Sequence, residues 1–419
     1  MASPTFRAPK GTRDIMWPDA ARWRALGQVF AQTVEEAGYT QVIPPMFENI
    51  EVFKRLGDAT DVVSKEMYDF EDKGGRHMAL RPEQTASIVR AFVEHRPLTP
   101  WKAWYSGPNF RYERAQKGRY RQFDQVGIEA LGPEDPHLDV EVIALAWRFY
   151  QRLGLRQITL MLNSLGSGDD RERFIEALQA HFATHQNELS EASRTTLAVN
   201  PLRVLDSKRE QDQSIINSAP KMLDFLSPEA VEHFEKVQQG LNALGIPYTL
   251  NPRLVRGLDY YVRTTFEFIS DAFDAAQNAV GGGGRYDGLA ESLGGPATPG
   301  VGFALGVDRT LLACDAEETF PGPTNVVDIF VVDTTGGQAA LALTAALHQE
   351  GHRADRSWDN RSMKAQMKAA DRSGAQIALI IGEEEAASDT VTVRDLRGQS
   401  GQTTVPRTQV NETLRKMMR

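Results

Sequence analysis

The sequence predicts an α+β fold: a domain with an antiparallel sheet flanked by helices, interrupted by a helical insertion and followed by a small α/β domain. Three observations predict it. Two strand-like runs, Trp101 to Ser106 and Arg119 to Leu131, are joined by a dense basic turn, as in an antiparallel pair with a long loop. From Asp169 to about Leu244 the chain is polar and helical in pattern, with no strand-like run. Beyond Pro321-Gly322-Pro323 strands and helices alternate. A chain of 419 residues has length for two to three domains of about 150 residues each.

Pro18 to Ala37 reads as a helix: Trp23, Leu26, Phe30, Val34 and Ala37 form one stripe, Pro18 suits the first turn and Gly38 can end it. Thr40 to Ile43 is a short strand stopped by Pro44-Pro45, His77 to Leu80 a strand, and Glu83 to His95 a helix. From Phe123 the residues alternate. Phe123, Gln125, Gly127 and Glu129 point one way; Val126, Ile128 and Ala130 point the other and can enter a core. Leu138 to Leu153 is an amphipathic helix ended by Gly154, and Arg156 to Leu162 alternates as a strand. Within the insertion, Lys208-Arg209-Glu210 and Gln211 to Ser214 read as a solvated turn. Strands resume at Tyr260 to Ile269, followed by a Gly-rich turn at Gly281 to Gly284 and a strand-then-helix through Gly302 to Arg309. In the last domain Val326 to Val332 is a buried strand, Gln338 to Glu350 a helix closed by Gly351, Met363 to Arg372 a helix closed by Gly374, and Ile377 to Ile381 a strand. The expected boundaries are 1–168 and 246–320 for the two parts of the main domain, 169–245 for the insertion and 326–419 for the α/β domain.

The net charge of −9 excludes a generally nucleic-acid-coating surface, so any such contact must use local basic patches. Residues 326–419 balance 12 basic against 12 acidic side chains, with Arg353, Arg356, Arg361, Lys364, Lys368 and Arg372 in one stretch. The single cysteine, Cys314, allows no internal disulfide, fits a reducing compartment, and reads as a small buried hydrophobe. Met1 to Arg13 has no apolar run of signal-peptide length and no segment is long enough to span a membrane, so a soluble cytoplasmic protein is expected.

Four segments could carry chemistry. In Leu80-Arg81-Pro82-Glu83-Gln84-Thr85-Ala86, Glu83 and Thr85 either cap a helix or face a cleft, where a carboxylate and a hydroxyl suit the three donors of an ammonium. Asn109 to Arg114, continued by Gly118 to Gln125, offers guanidinium forks for phosphate oxygens and a polar strand face to line a pocket. Leu254 to Glu267 carries Arg256-Gly257-Leu258-Asp259-Tyr260-Tyr261, one arginine on a corner with two tyrosines behind it. The fourth runs from Gly281 through Arg285-Tyr286-Asp287-Gly288 to Arg309. Its glycines permit close backbone approach to a ligand, but in neither the P-loop nor the dinucleotide pattern.

Together, in this order, the four segments resemble the bacterial-type histidyl-tRNA synthetase family of class II aminoacyl-tRNA synthetases. The resemblance covers nearly the whole chain, from Lys10-Gly11-Thr12-Arg13-Asp14 to the last domain. The Pro18 to Ala37 helix with Val42-Ile43-Pro44-Pro45 is similar to the first class motif, which lies at the dimer interface. Phe110-Arg111-Tyr112-Glu113 and its strand are similar to the second, and Gly302 to Arg309 to the third. Arg256-Gly257-Leu258-Asp259-Tyr260-Tyr261 and Gly283-Gly284-Arg285-Tyr286-Asp287-Gly288 resemble the two histidine signatures.

The resemblance implies a class II synthetase-like catalytic domain and a C-terminal anticodon-binding α/β domain. It also implies ATP with Mg²⁺ on its outer phosphates, no zinc or organic cofactor, histidine and its tRNA as substrates, a homodimer and no membrane. Histidine and ATP would give histidyl-adenylate and pyrophosphate, and the histidyl group would then move to the 3′ end of the tRNA. Arg111 and Arg256 would hold the α-phosphate, Arg111 also the substrate carboxylate. Glu113, Arg119 and Gly306 would bind ATP, with adenine between Phe123 and Arg309. Glu83, Gln84, Thr85 and Gln125 would sit at the histidine amino group. Glu129 and Tyr261 would read the imidazole, with Tyr260 and Tyr286 shaping its pocket. Arg114, Gln116 and Lys117 would approach the tRNA acceptor end. Bacterial members commonly have Gly where this chain has Gln84. Two rivals share parts of the pattern: a synthetase-like regulatory subunit of ATP phosphoribosyltransferase, and a class II synthetase for proline or threonine. A non-enzymatic RNA-binding module would need no pocket carboxylates at Glu83 and Glu129.

Overall fold

Six antiparallel strands, extended at each edge by a two-residue parallel strand, make the main sheet of a computed structural model that describes residues 6–55, 62–114, 116, 118–255, 260–273, 278–398 and 401–418. Across it run Thr40–Gln41, Trp101–Phe110, Gln122–Leu131, Gly300–Gly306, Ala279–Arg285, Val262–Ser270, Ile158–Ser164 and Thr249–Leu250. The chain divides into two compact units, Met1–Pro321 and Gly322–Arg419.

One face of the sheet is apolar because alternation on its strands puts it so. Val126, Ile128 and Ala130 enter a core shared with Leu26, Phe30 and Val34 of the Asp19–Glu35 helix and with Phe149 of the Pro136–Arg152 helix. Phe30 meets Phe149 edge-to-face at 5.3 Å. The first helix stops where Gly38 takes φ +82, a left-handed conformation that lets its N–H reach Glu35 O at 2.9 Å. The second starts where the Asp135 carboxylate accepts from His137 N at 2.9 Å.

The 169–245 segment contains helices and no strand among its described residues, and it packs in two places. Phe174, Leu178, Phe182, Leu205 and Ile216 form a separate small core. The Pro228–Ala243 helix instead gives Phe234, Val237 and Leu241 to the main core. The stretch read as a solvated turn is the Glu210–Ser218 helix preceded by an extended loop. Its helical period is masked in sequence by polar residues, because Asp212 is buried through hydrogen bonds rather than through apolar packing.

Two further expectations change. The strand after the basic turn begins at Gln122, not Arg119, since Arg119 is held in a bridge with Gln116. Gly281 to Gly284 is not a turn but the middle of the Ala279–Arg285 strand. The glycines there answer to crowding. A Cβ on Gly284 would come within 2.7 Å of Thr264 O, and one on Gly283 would strike Gly302 O.

The second unit has one sheet in the order Ala354–Arg356, Ile329–Asp333, Ile377–Ile381, Thr390–Asp395, Gln402–Pro406, parallel over the first three and antiparallel thereafter. The Gln338–Gln349, Met363–Arg372 and Val410–Met417 helices accompany it.

Candidate active site

Above the polar face of the main sheet lies a cavity of about 890 Å³. Glu83, Thr85, Arg111, Glu113, Arg119, Phe123, Gln125, Tyr260, Tyr261, Gly306 and Arg309 all border it. Residues far apart in sequence reach one space because the Gln122–Leu131 and Gly300–Gly306 strands are paired neighbours, Glu129 opposite Gly302.

Beneath the floor at one end is a carboxyl group ringed by hydroxyls. Glu129 is wholly buried, and its Oε1 accepts from Thr85 Oγ1 at 2.6 Å and from the Tyr105 hydroxyl at 3.2 Å. Its Oε2 accepts from the Tyr286 hydroxyl at 2.5 Å. Burial pushes the Glu129 carboxyl up to about 8, and the negative charge of Glu83 adds to that push, while the hydroxyl donors work against it. Gly302 and Gly127 make room: a Cβ on the first would collide with the Glu129 carboxylate, on the second with the Tyr105 ring. Glu83 both caps a helix and lines the cavity. It accepts from Thr85 N at 2.7 Å and Ala86 N at 2.9 Å at the start of the Thr85–His95 helix, and burial raises its pKa. Tyr260 and Tyr261 have ring centres 4.5 Å apart, and Tyr260 meets Tyr286 edge-on at 5.9 Å.

The other end gathers cations. The Arg111 Nε donates to Pro82 O at 2.9 Å, and its guanidinium lies 5.2 Å from the centre of the Phe123 ring. Arg119 pairs with Glu113. Arg309, in the first turn of the Val307–Ala316 helix, donates to Ala279 O at 2.9 Å and Gly118 O at 3.3 Å. Burial lowers its pKa, and repulsion from Arg119 and Arg111 lowers it further, whereas Glu267 opposes the shift. Arg309, repelled by both Arg111 and Arg119 on one cavity wall, suits a polyanionic ligand.

Gln84 departs from its expected place. Its amide donates to Gly107 O at 3.2 Å, fastening the helix start to the Trp101–Phe110 strand, and it does not border the cavity. Glu129 and Tyr286 lie beneath the floor rather than on the open wall. Arg114 and Gln116 are exposed and outside the cavity lining. Lys117 and Arg256, with Gly257 to Asp259, lie outside the described residues. In the second histidine signature, Arg285 is a buried brace. It pairs with Asp139 and donates to Asp287 at 3.2 Å, and Asp287 accepts from Gly300 N at 3.3 Å. Its neighbour Tyr286 donates to Glu129 beneath the floor.

Several lining residues were given no role from the sequence, although Asp124, Glu267 and Asp308 lie inside the four segments. Asp308, pushed up to about 6 by burial against the pull of Arg13 at 2.7 Å, borders the cavity with Asp124 and Glu267. So do Leu205, Ser207, Lys208 and Gln213 of the insertion. Among the described residues no three His, Cys, Asp or Glu side chains gather as a metal site. In the second unit, Trp358 is 60% exposed with the Arg356 guanidinium 4.1 Å from its ring centre.

A family model described as histidyl-tRNA synthetase matches residues 11–310, and one described as anticodon binding domain matches residues 326–417. The chain belongs to the histidyl-tRNA synthetase family. A histidine–tRNA ligase of Geobacillus kaustophilus is 47% identical, with 96% of each chain covered. One of Corynebacterium kroppenstedtii is 48% identical over 98% of this chain and 97% of that protein. The crystal structure of S. aureus histidyl-tRNA synthetase superposes with a TM-score of 0.82 at 36% identity, over 98% of this chain and 99% of that one. A Bacillus halodurans protein described as an ATP phosphoribosyltransferase regulatory subunit/histidyl-tRNA synthetase is 19% identical at a TM-score of 0.67, a likeness of fold alone. The class II synthetase fold expected from the sequence is therefore present, and near-full-length relatives of the histidyl-tRNA synthetase family favour a ligase over the regulatory rival.

Proposed function

We propose that this cavity joins histidine to ATP, giving histidyl-adenylate and pyrophosphate, and that the chain then transfers histidine to the 3′ end of its tRNA. The observation that carries this reading is a buried carboxyl ringed by hydroxyls beneath one end of a cavity that Arg111, Arg119 and Arg309 also line. The carboxyl suits a ring with hydrogen-bonding nitrogens and the arginines suit a triphosphate.

The substrate carboxylate attacks the α-phosphorus, so no enzyme nucleophile is needed; catalysis is positioning and charge stabilisation. Arg111, with Arg256, holds the α-phosphate. Phe123 and Arg309 flank adenine. Glu113, Arg119 and the Gly306 backbone orient the nucleotide. Glu83, Thr85 and Gln125 hold the substrate ammonium. Glu129 and Tyr261 read the imidazole, with Tyr260 and Tyr286 packed about it. A site that must satisfy a buried carboxyl rejects amino acids lacking the ring nitrogens by a factor on the order of 10⁴ or more. Mg²⁺ sits on the outer phosphates of ATP. Arg114, Gln116 and Lys117 meet the tRNA acceptor end, and the second unit meets the anticodon, with Trp358 and Arg356 a stacking platform for an unpaired base. A homodimer would cover the exposed Ile43, Met46, Phe47 and Phe70, of which Phe47 and Phe70 already pack edge-to-face at 6.1 Å. No helix among the described residues is long and apolar enough to cross a membrane, and the reaction belongs in the cytoplasm with its tRNA.

Pyrophosphate exchange into ATP, run with each amino acid and no tRNA, tests the reading. Exchange with histidine alone is expected; none with any amino acid would overturn it. Trp358→Ala is expected to raise the KM for tRNA several-fold and leave exchange unchanged, and an unchanged KM removes Trp358 from the anticodon contact.

A further inference from the structure

The helical insertion contributes to the cavity through a short loop before the Glu210–Ser218 helix, with Leu205, Ser207 and Lys208 on the lining and Gln213 beside them. The loop is built, not draped. The Ser207 hydroxyl donates to Asp212 Oδ2 at 2.6 Å, and the Ser207 carbonyl accepts from Gln213 Nε2 at 2.6 Å. Asp212, buried in the insertion, also accepts from Ser190 N at 2.8 Å, Ser190 Oγ at 2.9 Å and Ser193 Oγ at 2.6 Å. One carboxylate thus ties the loop to the start of the Glu191–Val199 helix and fixes the backbone from which Lys208 projects.

Lys208 joins a lining that holds Arg111, Arg119 and Arg309 beside the carboxyl groups of Glu83, Glu113, Asp124, Glu267 and Asp308. A polyphosphate in this cavity would bring several negative charges within reach of its cations, the Lys208 ammonium among them. Lysine suits that task as a compact charge on a flexible stem.

We propose that Lys208, held in place by the Ser207–Asp212 anchor, binds phosphate oxygens of the substrate in this cavity. This makes the insertion a part of the substrate site. The inference rests on the reading of the cavity given above. Its phosphates have two sources, the outer phosphates of ATP and the 3′-terminal nucleotides of tRNA.

The test uses full-length Lys208→Gln and Lys208→Arg. In histidine-dependent pyrophosphate exchange without tRNA, Lys208→Gln is expected to raise the KM for ATP about tenfold, the loss of one charged contact, with the KM for histidine unchanged. Lys208→Arg restores most of it. Asp212→Asn raises the KM for ATP in the same direction by a smaller factor. Unchanged exchange, with a tenfold slower single-turnover transfer from preformed adenylate to tRNA, would assign the phosphates to the tRNA end. If both steps stay within twofold of the parent, the inference is wrong. Absence of exchange in the parent protein would instead overturn the proposed function, so the two failures are distinguishable.

Discussion

Two buried carboxylates, one beneath the cavity and one in the insertion, are each surrounded by hydroxyl donors and end in opposite states. Glu129 accepts from Thr85, Tyr105 and Tyr286 and is pushed up to about 8. Burial also pushes Asp212 upward, but the Ser190 N–H and the hydroxyls of Ser193, Ser207 and Ser190 outweigh it and hold the carboxyl at about 2. Hydroxyl donors alone therefore do not decide the charge. Asp212 adds a backbone N–H and sits in a small satellite core, whereas Glu129 lies inside the main sheet with the Glu83 charge nearby. The first arrangement is a fixed anionic staple. The second is a carboxyl near its titration point, ready to respond to a ligand that brings nitrogens.

The comparison can be broken at its strongest point. Asp212→Asn removes the charge from four hydrogen bonds and is expected to cost about 2 to 4 kcal/mol of stability, measured by urea unfolding, while the KM for histidine stays within threefold. Glu129→Gln keeps the shape of the floor, and the KM for histidine should rise about 10- to 100-fold, the worth of a charge-assisted hydrogen bond, with the KM for ATP within twofold. Equal losses for both substrates would deny Glu129 its role as reader of the ring.

The two sites also differ in sign with pH. The folded pKa of Glu129 is raised, so its contribution is fully present below the ordinary 4.5 and is lost as pH rises through about 8. The folded pKa of Asp212 is depressed, so its contribution is present above the ordinary 3.8 and is lost as pH falls through about 2. In thermal unfolding the Tm of Glu129→Gln relative to the parent should therefore climb between pH 5 and pH 9, while the Tm deficit of Asp212→Asn stays flat over that range. A deficit that varied with pH there would show that Asp212 is not held ionised. The smallest effect concerns single donors. Ser193→Ala should cost about 1 kcal/mol of stability, measured by urea unfolding, with no change in exchange.

The contrast also marks what the sequence could tell. Alternation separates Val126, Ile128 and Ala130 in the core from Phe123 and Gln125 on the cavity, because a strand has only two sides, but Asp124, of the core parity, also borders the cavity at the strand's start. The floor under Glu129 is less legible. Thr85, Tyr105 and Tyr286 come from three elements, and Tyr105 carries no local mark of its role. Gln84 follows Glu83 directly, yet the first turn of the helix sends it to Gly107 instead of the cavity. Asp212 and its serines fail to register for a further reason. A helix buried by hydrogen bonds looks, residue by residue, like one bathed in water. The glycine run misleads in the opposite direction, since flexibility is the usual reason for such a run and crowding is the reason here. In the second unit the Thr390–Asp395 and Gln402–Pro406 hairpin went unread, although Thr390 to Val393 alternates threonine with valine as a half-buried strand does.

That crowding bears on how the gene can drift. Any missense change in the codons for Gly127, Gly283 or Gly302 adds at least one carbon where Tyr105, a backbone carbonyl or the Glu129 carboxylate already stands. These codons admit no conservative replacement, although none of the three residues performs chemistry. In a library of random variants selected for growth they should empty as completely as the arginines, and a map of intolerance would outline the bowl of the site by its missing side chains.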